Sequence, residues 1–597
     1  MTRARLCAAL GAALVLAACT PAAPVQQVPT RLFADVRPFS IGTDTRLGLV
    51  LHDQRLSARA SVTLPADAEL SFGYTVNAAV TEGEGNARVE ATQLAPVLLS
   101  LTLLSKDGSR ELIFEQRLDP KLAKDRRWVD AYADLSRWQG ETVELEFAMQ
   151  PEPGGVTPVA AFWEPTVHSA GARDPRPNLL VVSIDTLRAR NVGAYGHTRD
   201  TTPFLDGLAA SGVLFENAIT TAATTGPAHM SLFTGLYPVH HGIRGGNEPR
   251  KPSAVPLAVW LREAGYHTAA FTENGYIIRG LGFGDGFSEY SENLGAKDSV
   301  PGEALVTFER ARRWLVRSRR QPFLLFVHTY QVHAPYAPPP ETASLFRDDG
   351  EPGTPSQELR PQHDNYDREI RFVDGQLRDL VGALDELGLR ASTAIVVLSD
   401  HGEEFGEHGY FQHGTALYEE SLRVPLVFSG PDIPVGRRVA EQVSLIDVLP
   451  TLLQLADVPA PEGLDGRSLL PLMRGESWPE RTLFAEAAAP GRWRKPFFRE
   501  TWNPLLVAVR SQHGKLLVHR PAQGDPAPPQ RFDLDADALE HAPQPLGGDD
   551  LASAQAQVDD YLGVRASDRR ESAPTPELDP ELRERLEGLG YLTSDTP

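Results

Sequence analysis

Three apolar segments of the sequence end on carboxylate or imidazole side chains. They are Asn178–Asp185 (NLLVVSID), which ends on Asp185, Thr393–Ser399 (TAIVVLS), followed by Asp400 and His401, and Phe323–Val327, followed by His328 and His333. Such short apolar runs predict strands buried on both faces, whose carboxyl ends meet at the ligand-binding edge of an open sheet. One Asp there would usually be a turn cap, but three strands that end this way favour a shared site. A mixed Asp/His set suits zinc or another divalent transition metal.

A hydroxyl group that could act as a nucleophile or bind an ion lies at the start of a predicted helix, in the segment TTGPAH at 224–229. Pro227 occupies the first-turn position that proline favours, which places Thr225 at or beside the N-cap. There the Thr225 hydroxyl would face free backbone N–H groups and the positive end of the helix dipole, a setting that stabilises an anion. A threonine at a helix start is also a common structural cap, and the pattern alone leaves both interpretations open.

Four motifs resemble the sulfatases of the alkaline phosphatase superfamily. They are DTLRA from Asp185, TGPAHMSLFTGLYP from Thr225, SDHGEEFGEHG from Ser399 and LDGRSLLPL from Leu464. The resemblance extends from about Asn178 to Arg510, with the motifs in the order found in the family.

Several residues depart from the sulfatase pattern. Sulfatases carry a cysteine or serine, converted to formylglycine, at the head of a C/S-x-P-x-R motif. Thr225 stands at that head and His229 replaces the arginine. Thr186 stands where sulfatases usually have a second aspartate, His401 where they have asparagine, and His413 near their lysine. Threonine cannot form formylglycine, so the site resembles the threonine-nucleophile branch, which includes phosphodiesterases, phosphonate hydrolases and lipid-head-group phosphotransferases.

The resemblance implies one divalent ion, zinc or manganese in the first place and calcium or magnesium as alternatives. The implied metal ligands are Asp185, Thr225, Asp400 and His401. The implied catalytic residues are Thr225, His229, His333 and His413. His333 and His413 would bind non-bridging oxygens, assist the leaving group or hold a second metal, whereas His229 would reach the oxyanion or orient the nucleophile.

The function predicted from these motifs is the metal-dependent hydrolysis of sulfate or phosphate esters, with phosphoryl esters favoured. The alternatives are phosphotransfer onto a lipid or glycan head group and a catalytically silent, glycan-binding sulfatase fold. An ester on a glycan or lipid head group is the expected partner. The formal net charge is −21, and no basic footprint offsets this acidic balance, which argues against a nucleic-acid partner.

The N-terminus has the pattern of a bacterial lipoprotein signal. Residues 1–18 contain Arg3, Arg5 and a short apolar run, and LAAC at 16–19 resembles a lipobox. We therefore expect Cys19 to carry lipid, residues 19–30 to form a tether, and the protein to be anchored in the bacterial cell envelope, facing the periplasm or the outer surface. The other cysteine, Cys7, lies inside the signal, which excludes an intramolecular disulfide and a cysteine nucleophile from the mature chain.

The remaining sequence predicts three units. Short alternating strands predict a β-sandwich at 31–168, of the kind that binds carbohydrate or spaces an enzyme from a membrane. Strands that alternate with helices at 176–495 predict an α/β fold with the doubly wound sheet of alkaline phosphatases and sulfatases. Within it, the proline-rich segment Pro335–Gln362 is expected to be a loop over the site. Residues 496–597 are expected to form a smaller subdomain, with a hairpin of Leu505–Val507 and Lys515–Val518, and a tail.

Overall fold

The computed structural model describes residues 30–82, 87–169, 174–245, 248–273, 275–293, 302–318, 322–346, 359–488, 504–521 and 527–563. The expected signal segment and Cys19 lie outside these residues. No helix within the described ranges is long and apolar enough to cross a lipid bilayer.

The predicted α/β fold is confirmed, and its centre is a mixed sheet. The strand Asn178–Ile184 lies between Phe323–Thr329 and Thr393–Leu398 and is parallel to both. Beyond Phe323–Thr329 the sheet continues through the parallel strands His267–Glu273 and Glu289–Asn293. On the other side it continues through the strands Leu426–Ser429, Val213–Ile219, Arg423–Val424 and Arg437–Ser444.

Side chains of the central strand alternate between two cores. Leu179 and Val181 pack into one apolar cluster, whereas Leu180, Val182 and Ile184 pack into the cluster on the opposite face. A strand covered on both faces must be apolar at nearly every position, which is why its sequence reads as an uninterrupted run. The polar residues are therefore confined to the strand ends.

Helices on both faces complete this unit. They are Pro203–Ala210, Thr225–Thr234, Pro238–His241, Leu257–Glu263, Ala304–Arg317, Arg360–Glu386, Glu419–Leu422, Val448–Leu455 and Leu470–Met473. The helix Arg360–Glu386 begins inside the segment that was expected to be a loop as far as Gln362, so that prediction was too long at its end. A two-stranded ribbon of Glu404–Phe405 and Phe411–Gln412 lies after the third central strand.

The N-terminal region is a β-sandwich. One layer contains Ser57–Thr63, Val97–Leu104, Arg110–Leu118 and Thr142–Pro151, and the other contains Arg37–Ile41, Asp44–Leu51, Ala68–Val76, Val129–Asp134 and Ala160–Ser169. Short strands at Thr30–Arg31, Ala79–Glu82 and Ala87–Glu90 flank them. The second layer is continuous with the central mixed sheet, because Asp44–Leu51 pairs antiparallel with Glu289–Asn293.

Arg46 lies at the strand pair that joins the two units. Its side chain is 1% exposed and pairs with Asp130 at 2.7 Å and with the equally buried Glu289 at 3.5 Å. The guanidinium also lies over the rings of Trp163 and Trp128, at 4.7 and 5.3 Å from their centroids. Buried charges are costly unless paired, so this cluster holds the sandwich and the catalytic sheet in one register.

The C-terminal region forms a four-stranded antiparallel sheet with the helix Gly548–Tyr561. Its strands are Leu483–Ala488, Pro504–Arg510, Gly514–Pro521 and Gln530–Asp533. The predicted hairpin is confirmed, with Val507 opposite Val518. The first strand lies upstream of residue 496, where the subdomain was expected to start, because β-pairing rather than chain position defines the unit.

We predict that Arg46→Met lowers the free energy of unfolding by about 3–5 kcal/mol, because Glu289 is then left buried without its cation. Denaturant unfolding followed by tryptophan fluorescence measures this, since Trp128 and Trp163 flank the guanidinium. Arg59→Met is the matched control, because it removes an exposed pair with Glu146 that solvent screens. Equal stability of the two variants would show that the buried cluster does not join the units.

Candidate active site

The ends of three adjacent strands form the floor of the site. Ser183 lies opposite His328 on one neighbouring strand and opposite Leu398 on the other. Asp185 follows the central strand, and Asp400 and His401 follow the third. Parallel neighbours deliver these groups to one edge of the sheet, and the Asp185, Asp400 and His401 ligand atoms lie within 4.8 Å of one another.

Backbone strain accompanies Asp185. The next residue, Thr186, has φ of 57°, a left-handed conformation that is rare for a β-branched side chain. Its hydroxyl donates hydrogen bonds to the carbonyls of Asp185 and Val332, and its own carbonyl accepts one from Tyr366. The strained turn redirects the chain immediately after the ligand position and is held by these bonds.

Thr225 is the first residue of the helix Thr225–Thr234, after Thr224 at the N-cap. Its side chain is buried, and Oγ1 donates a hydrogen bond to Asp185 Oδ2 at 3.2 Å and lies 3.3 Å from His401 Nε2. The following Gly226 is required by packing, because a Cβ there would come within 2.1 Å of the Tyr276 ring. The helix start thus presents the hydroxyl to the acidic floor.

These four side chains have the composition and spacing of a metal site. Ligands 2.0–2.1 Å from a tetrahedral zinc ion lie roughly 3.3 Å apart. His401 Nε2 lies 3.3 Å from Thr225 Oγ1, 3.4 Å from Asp400 Oδ2 and 3.9 Å from Asp185 Oδ1. Asp185 Oδ1 and Asp400 Oδ2 are buried without a hydrogen bond. The set therefore fits a divalent cation, whose identity the geometry leaves open.

Electrostatics support the same interpretation. Burial raises the pKa of Asp185, and burial together with the Asp185 charge raises the pKa of Asp400. Burial alone would lower the pKa of His401, but Asp400 and Asp185 outweigh it and raise that pKa. Two buried carboxylates side by side disfavour each other's charge, and a bound cation relieves that repulsion.

Two further imidazoles lie above His401. The ring centroid of His413 is 4.4 Å from that of His401 and 4.9 Å from that of His333. His413 Nδ1 donates a hydrogen bond to Glu403 at 2.9 Å, and Tyr336 donates to the other oxygen of Glu403 at 2.9 Å. Burial raises the pKa of Glu403 to about 7. The pairing fixes the His413 ring through Nδ1 and leaves Nε2 as the nitrogen that Glu403 does not engage.

His229 lies below Thr225. Its Nδ1 donates to the Thr225 carbonyl oxygen at 2.9 Å, and its Nε2 lies 2.9 Å from Ser183 Oγ. Nδ1 is also 3.4 Å from Asp400 Oδ2. Burial lowers the pKa of this imidazole to about 3. With both nitrogens engaged inside the protein, the geometry favours orientation of Thr225 over contact with a substrate.

The arginine of the DTLRA motif forms a buried ion pair. Arg188 is 1% exposed, pairs with Glu407 at 2.6 Å and lies over the Phe405 ring. Although burial opposes it, the Arg188 charge lowers the pKa of Glu407 to about 2. This pair links the strand end to the ribbon that carries Glu404–Phe405.

The structure brings together the residues predicted to bind metal or to act in catalysis, whereas Cys19 lies outside the described residues. Among their neighbours, His328 had been noted at a strand end without a role, and Glu403 and Tyr336 had not been singled out. His328 directly follows an apolar run and Glu403 lies in the SDHGEE motif, so position near a strand end could have indicated them. Tyr336 carries no such signal, because only the folded loop places its hydroxyl beside Glu403.

Comparisons with known proteins agree with this architecture. The sulfatase family model matches residues 177–458. The uncharacterized sulfatase YidJ of Escherichia coli (strain K12) is 28% identical over 353 residues, which cover 49% of this chain and 71% of that protein. A Delta 4,5-hexuronate-2-O-sulfatase of Bacteroides thetaiotaomicron is 25% identical over 487 residues, which cover 72% of this chain and 97% of that protein.

A solved structure shares the fold. The phosphonate monoester hydrolase of Agrobacterium radiobacter aligns with a TM-score of 0.54 and 23% identity, covering 66% of this chain and 96% of that one. The mixed α/β sheet, with acidic and histidine side chains at its carboxyl edge, agrees with a fold of the alkaline phosphatase type. Residues 177–458 are similar to the sulfatase family, as their motifs predict.

We predict that the protein binds divalent cation and that His401→Ala weakens binding by more than the 10–100-fold typical of losing an outer-shell partner. Calorimetric titration of the chelator-treated protein with Zn²⁺ and Mn²⁺ measures this. His408→Ala is the control, because that ring stacks on Tyr418 away from the cluster. Unchanged affinity of His401→Ala would contradict the assignment.

Proposed function

We propose that this chain is a metal-dependent ester hydrolase that uses Thr225 as its nucleophile and favours phosphoryl over sulfuryl esters. The observation that carries the proposal is the position of Thr225 Oγ1, at the start of a helix and in contact with both Asp185 and His401. A capping threonine has no need of a carboxylate and an imidazole at its hydroxyl. The complete ligand set also argues against a silent, glycan-binding fold.

Asp185, Thr225, Asp400 and His401 would hold the ion. When bound, a divalent cation lowers the pKa of an adjacent hydroxyl and neutralises charge on the phosphoryl oxygens. The chain contributes position: the Asp185 carboxylate accepts the Thr225 hydroxyl hydrogen bond, and the helix start holds Oγ1 beside His401 Nε2. His229 holds the same residue from below through its carbonyl.

The reaction proceeds in two displacements. The Thr225 hydroxyl passes its proton to Asp185, which accepts its hydrogen bond, and its oxygen forms a bond to phosphorus while the ester P–O bond breaks. The departing alcohol oxygen takes a proton from His413 or His333. A water molecule then gives a proton to that histidine and forms a bond to phosphorus, the bond from phosphorus to the Thr225 oxygen breaks, and that oxygen regains its proton from Asp185. Glu403 holds the His413 ring in position for the transfer. An acceptor alcohol in place of water would make the second step a phosphotransfer.

The preference for phosphorus follows from the nucleophile. Formylglycine hydrate offers a second hydroxyl with which to expel sulfate from the covalent intermediate, whereas threonine has one oxygen only. A threonine adduct must be cleared by attack on its central atom, as in the threonine enzymes that this site resembles. The site lies at an edge formed by several loops, which suits an ester on a glycan or lipid head group. The name of the Bacteroides thetaiotaomicron relative gives a 2-O-sulfate ester of a hexuronate as its substrate.

We also propose that the protein is anchored in the cell envelope through a lipid on Cys19. The support is the lipobox pattern of residues 16–19 and the preceding signal pattern. An envelope location would bring the enzyme to head groups and exported glycans.

We predict that Thr225→Ala loses several orders of magnitude in kcat, because the covalent nucleophile is removed. Thr225→Ser keeps the hydroxyl and should retain measurable turnover, which serves as the matched control. Both are assayed with aryl phosphate mono- and diesters, aryl phosphonates and aryl sulfates in the presence of Zn²⁺ or Mn²⁺. Sulfate turnover above that of every phosphorus substrate, or full activity of Thr225→Ala, would contradict the proposal.

We predict that replacing the segment before Thr20 with a cleavable, non-lipidated signal moves the mature protein from the membrane fraction to the soluble fraction. The physical reason is the loss of the acyl chains, the expected hydrophobic anchor. Fractionation and immunoblotting measure the change against the natural precursor. A mature form that begins at Thr20 and still sediments with membranes would rule out Cys19 as the anchor.

A further inference from the structure

His328 belongs to a buried layer beneath the proposed metal site. It lies on the strand Phe323–Thr329, its side chain is 0% exposed, and Nε2 is 3.3 Å from Asp185 Oδ2. Because a carboxylate only accepts, Nε2 carries the proton and donates it to Asp185. The hydrogen bond thus connects a strand-borne imidazole to one of the two carboxylates of the cluster.

Aromatic neighbours fix the His328 ring. It makes edge-to-face contacts with His229, at a centroid distance of 4.7 Å, and with Tyr330, at 4.6 Å. It also lies parallel to Phe326 at 6.5 Å. Tyr330 is held in turn, because its hydroxyl accepts a hydrogen bond from the Tyr276 backbone N–H. A ring wedged in this way gives its donor a defined direction.

The two oxygens of Asp185 have different environments. Oδ2 accepts hydrogen bonds from Thr225 and His328, whereas Oδ1 is buried without a hydrogen bond. Holding Oδ2 from two sides fixes the carboxylate plane and leaves Oδ1 as the oxygen presented to a cation. Outer-shell donors of this kind orient ligands and raise metal affinity.

A second cation held by His229, His328 and Asp400 is the alternative, since their ligand atoms lie within 4.8 Å of one another. His229 argues against it. Its Nδ1 lies 2.9 Å from the Thr225 carbonyl oxygen, which can only accept, so Nδ1 carries a proton and has no lone pair for a metal. Its Nε2 lies 2.9 Å from Ser183 Oγ. His328 is the histidine of this layer that donates to a carboxylate of the site, through Nε2.

We propose that His328 is a positioning residue, which holds Asp185 Oδ2 through Nε2 and thereby fixes Asp185 as a ligand of the catalytic cation. The inference rests on the proposed metal-dependent function. It concerns cation binding and is independent of the choice of nucleophile or of substrate.

The test compares three substitutions of His328. The glutamine amide nitrogen can reach the position of Nε2, the asparagine amide only that of Nδ1, and leucine provides no donor. We expect His328→Leu and His328→Asn to lower the affinity for Zn²⁺ or Mn²⁺ by 10–100-fold in calorimetric titration. His328→Gln should restore affinity to within a few-fold of wild type. With an aryl ester that the wild-type protein hydrolyses, kcat at subsaturating metal should fall in step with the metal affinity of each variant. The KM for the ester should change little.

His168→Leu is the control for loss of a buried histidine, because His168 is also buried but lies in the sandwich beside Glu69. If His328→Leu does not fold, the difference in metal affinity between His328→Gln and His328→Asn still tests the proposal. Equal affinity of those two variants, or wild-type affinity of the leucine variant, would overturn the proposal. A fall in stoichiometry from two ions per chain in wild type to one in a His328 variant would also overturn it, because His328 would then be a ligand of a second cation. A wild-type protein that binds no divalent ion would instead overturn the proposed function itself.

Discussion

The site depends on two like charges buried together. Asp185 and Asp400 follow neighbouring strands of one sheet, and both are fully buried at its carboxyl edge. Two carboxylates in this position destabilise the fold unless positive charge and hydrogen-bond donors surround them. The side chains around the two carboxylates supply these groups. The Thr225 hydroxyl and the His328 imidazole donate hydrogen bonds to Asp185, and His401 lies between the two acids.

Histidine supplies most of the basic groups near the reacting oxygen. His401 is level with the carboxylates, His333 and His413 lie above it, and His229 and His328 lie below. Where sulfatases have an arginine four residues after the formylglycine, this chain has an imidazole whose nitrogens are used by Ser183 and the Thr225 carbonyl. The permanent cation of that position is thus replaced by an imidazole that donates a hydrogen bond to the Thr225 backbone.

The sheet that carries the site extends beyond the catalytic unit. Antiparallel pairing of Asp44–Leu51 with Glu289–Asn293 makes one layer of the N-terminal sandwich a continuation of it. The cluster around Arg46 lies at this pairing, so the sandwich is braced against the catalytic sheet. At the other side, Lys515 of the C-terminal sheet is buried between Glu419 and Glu540, at 3.2 and 2.6 Å. Both attachments use buried ion pairs, which specify geometry more than they add stability.

The sequence by itself determined the α/β class, the central strands and the identity of the ligand-bearing ends. This was possible because a strand buried on both faces has to be apolar throughout, so the polar residue that ends it stands out at Asp185, Asp400 and His328. The position of Thr225 at a helix start was also expected, since its motif marks one.

Tertiary structure alone decided how these ends face one another and what surrounds them. Sequence spacing carries no information about the approach of Tyr336 to Glu403, or about which nitrogen of His229 meets the Thr225 carbonyl. The strand pairing that connects the sandwich to the central sheet could not be predicted from the sequence for the same reason. It depends on pairing between residues more than two hundred positions apart, and such pairing is set by the register of the whole sheet rather than by local pattern.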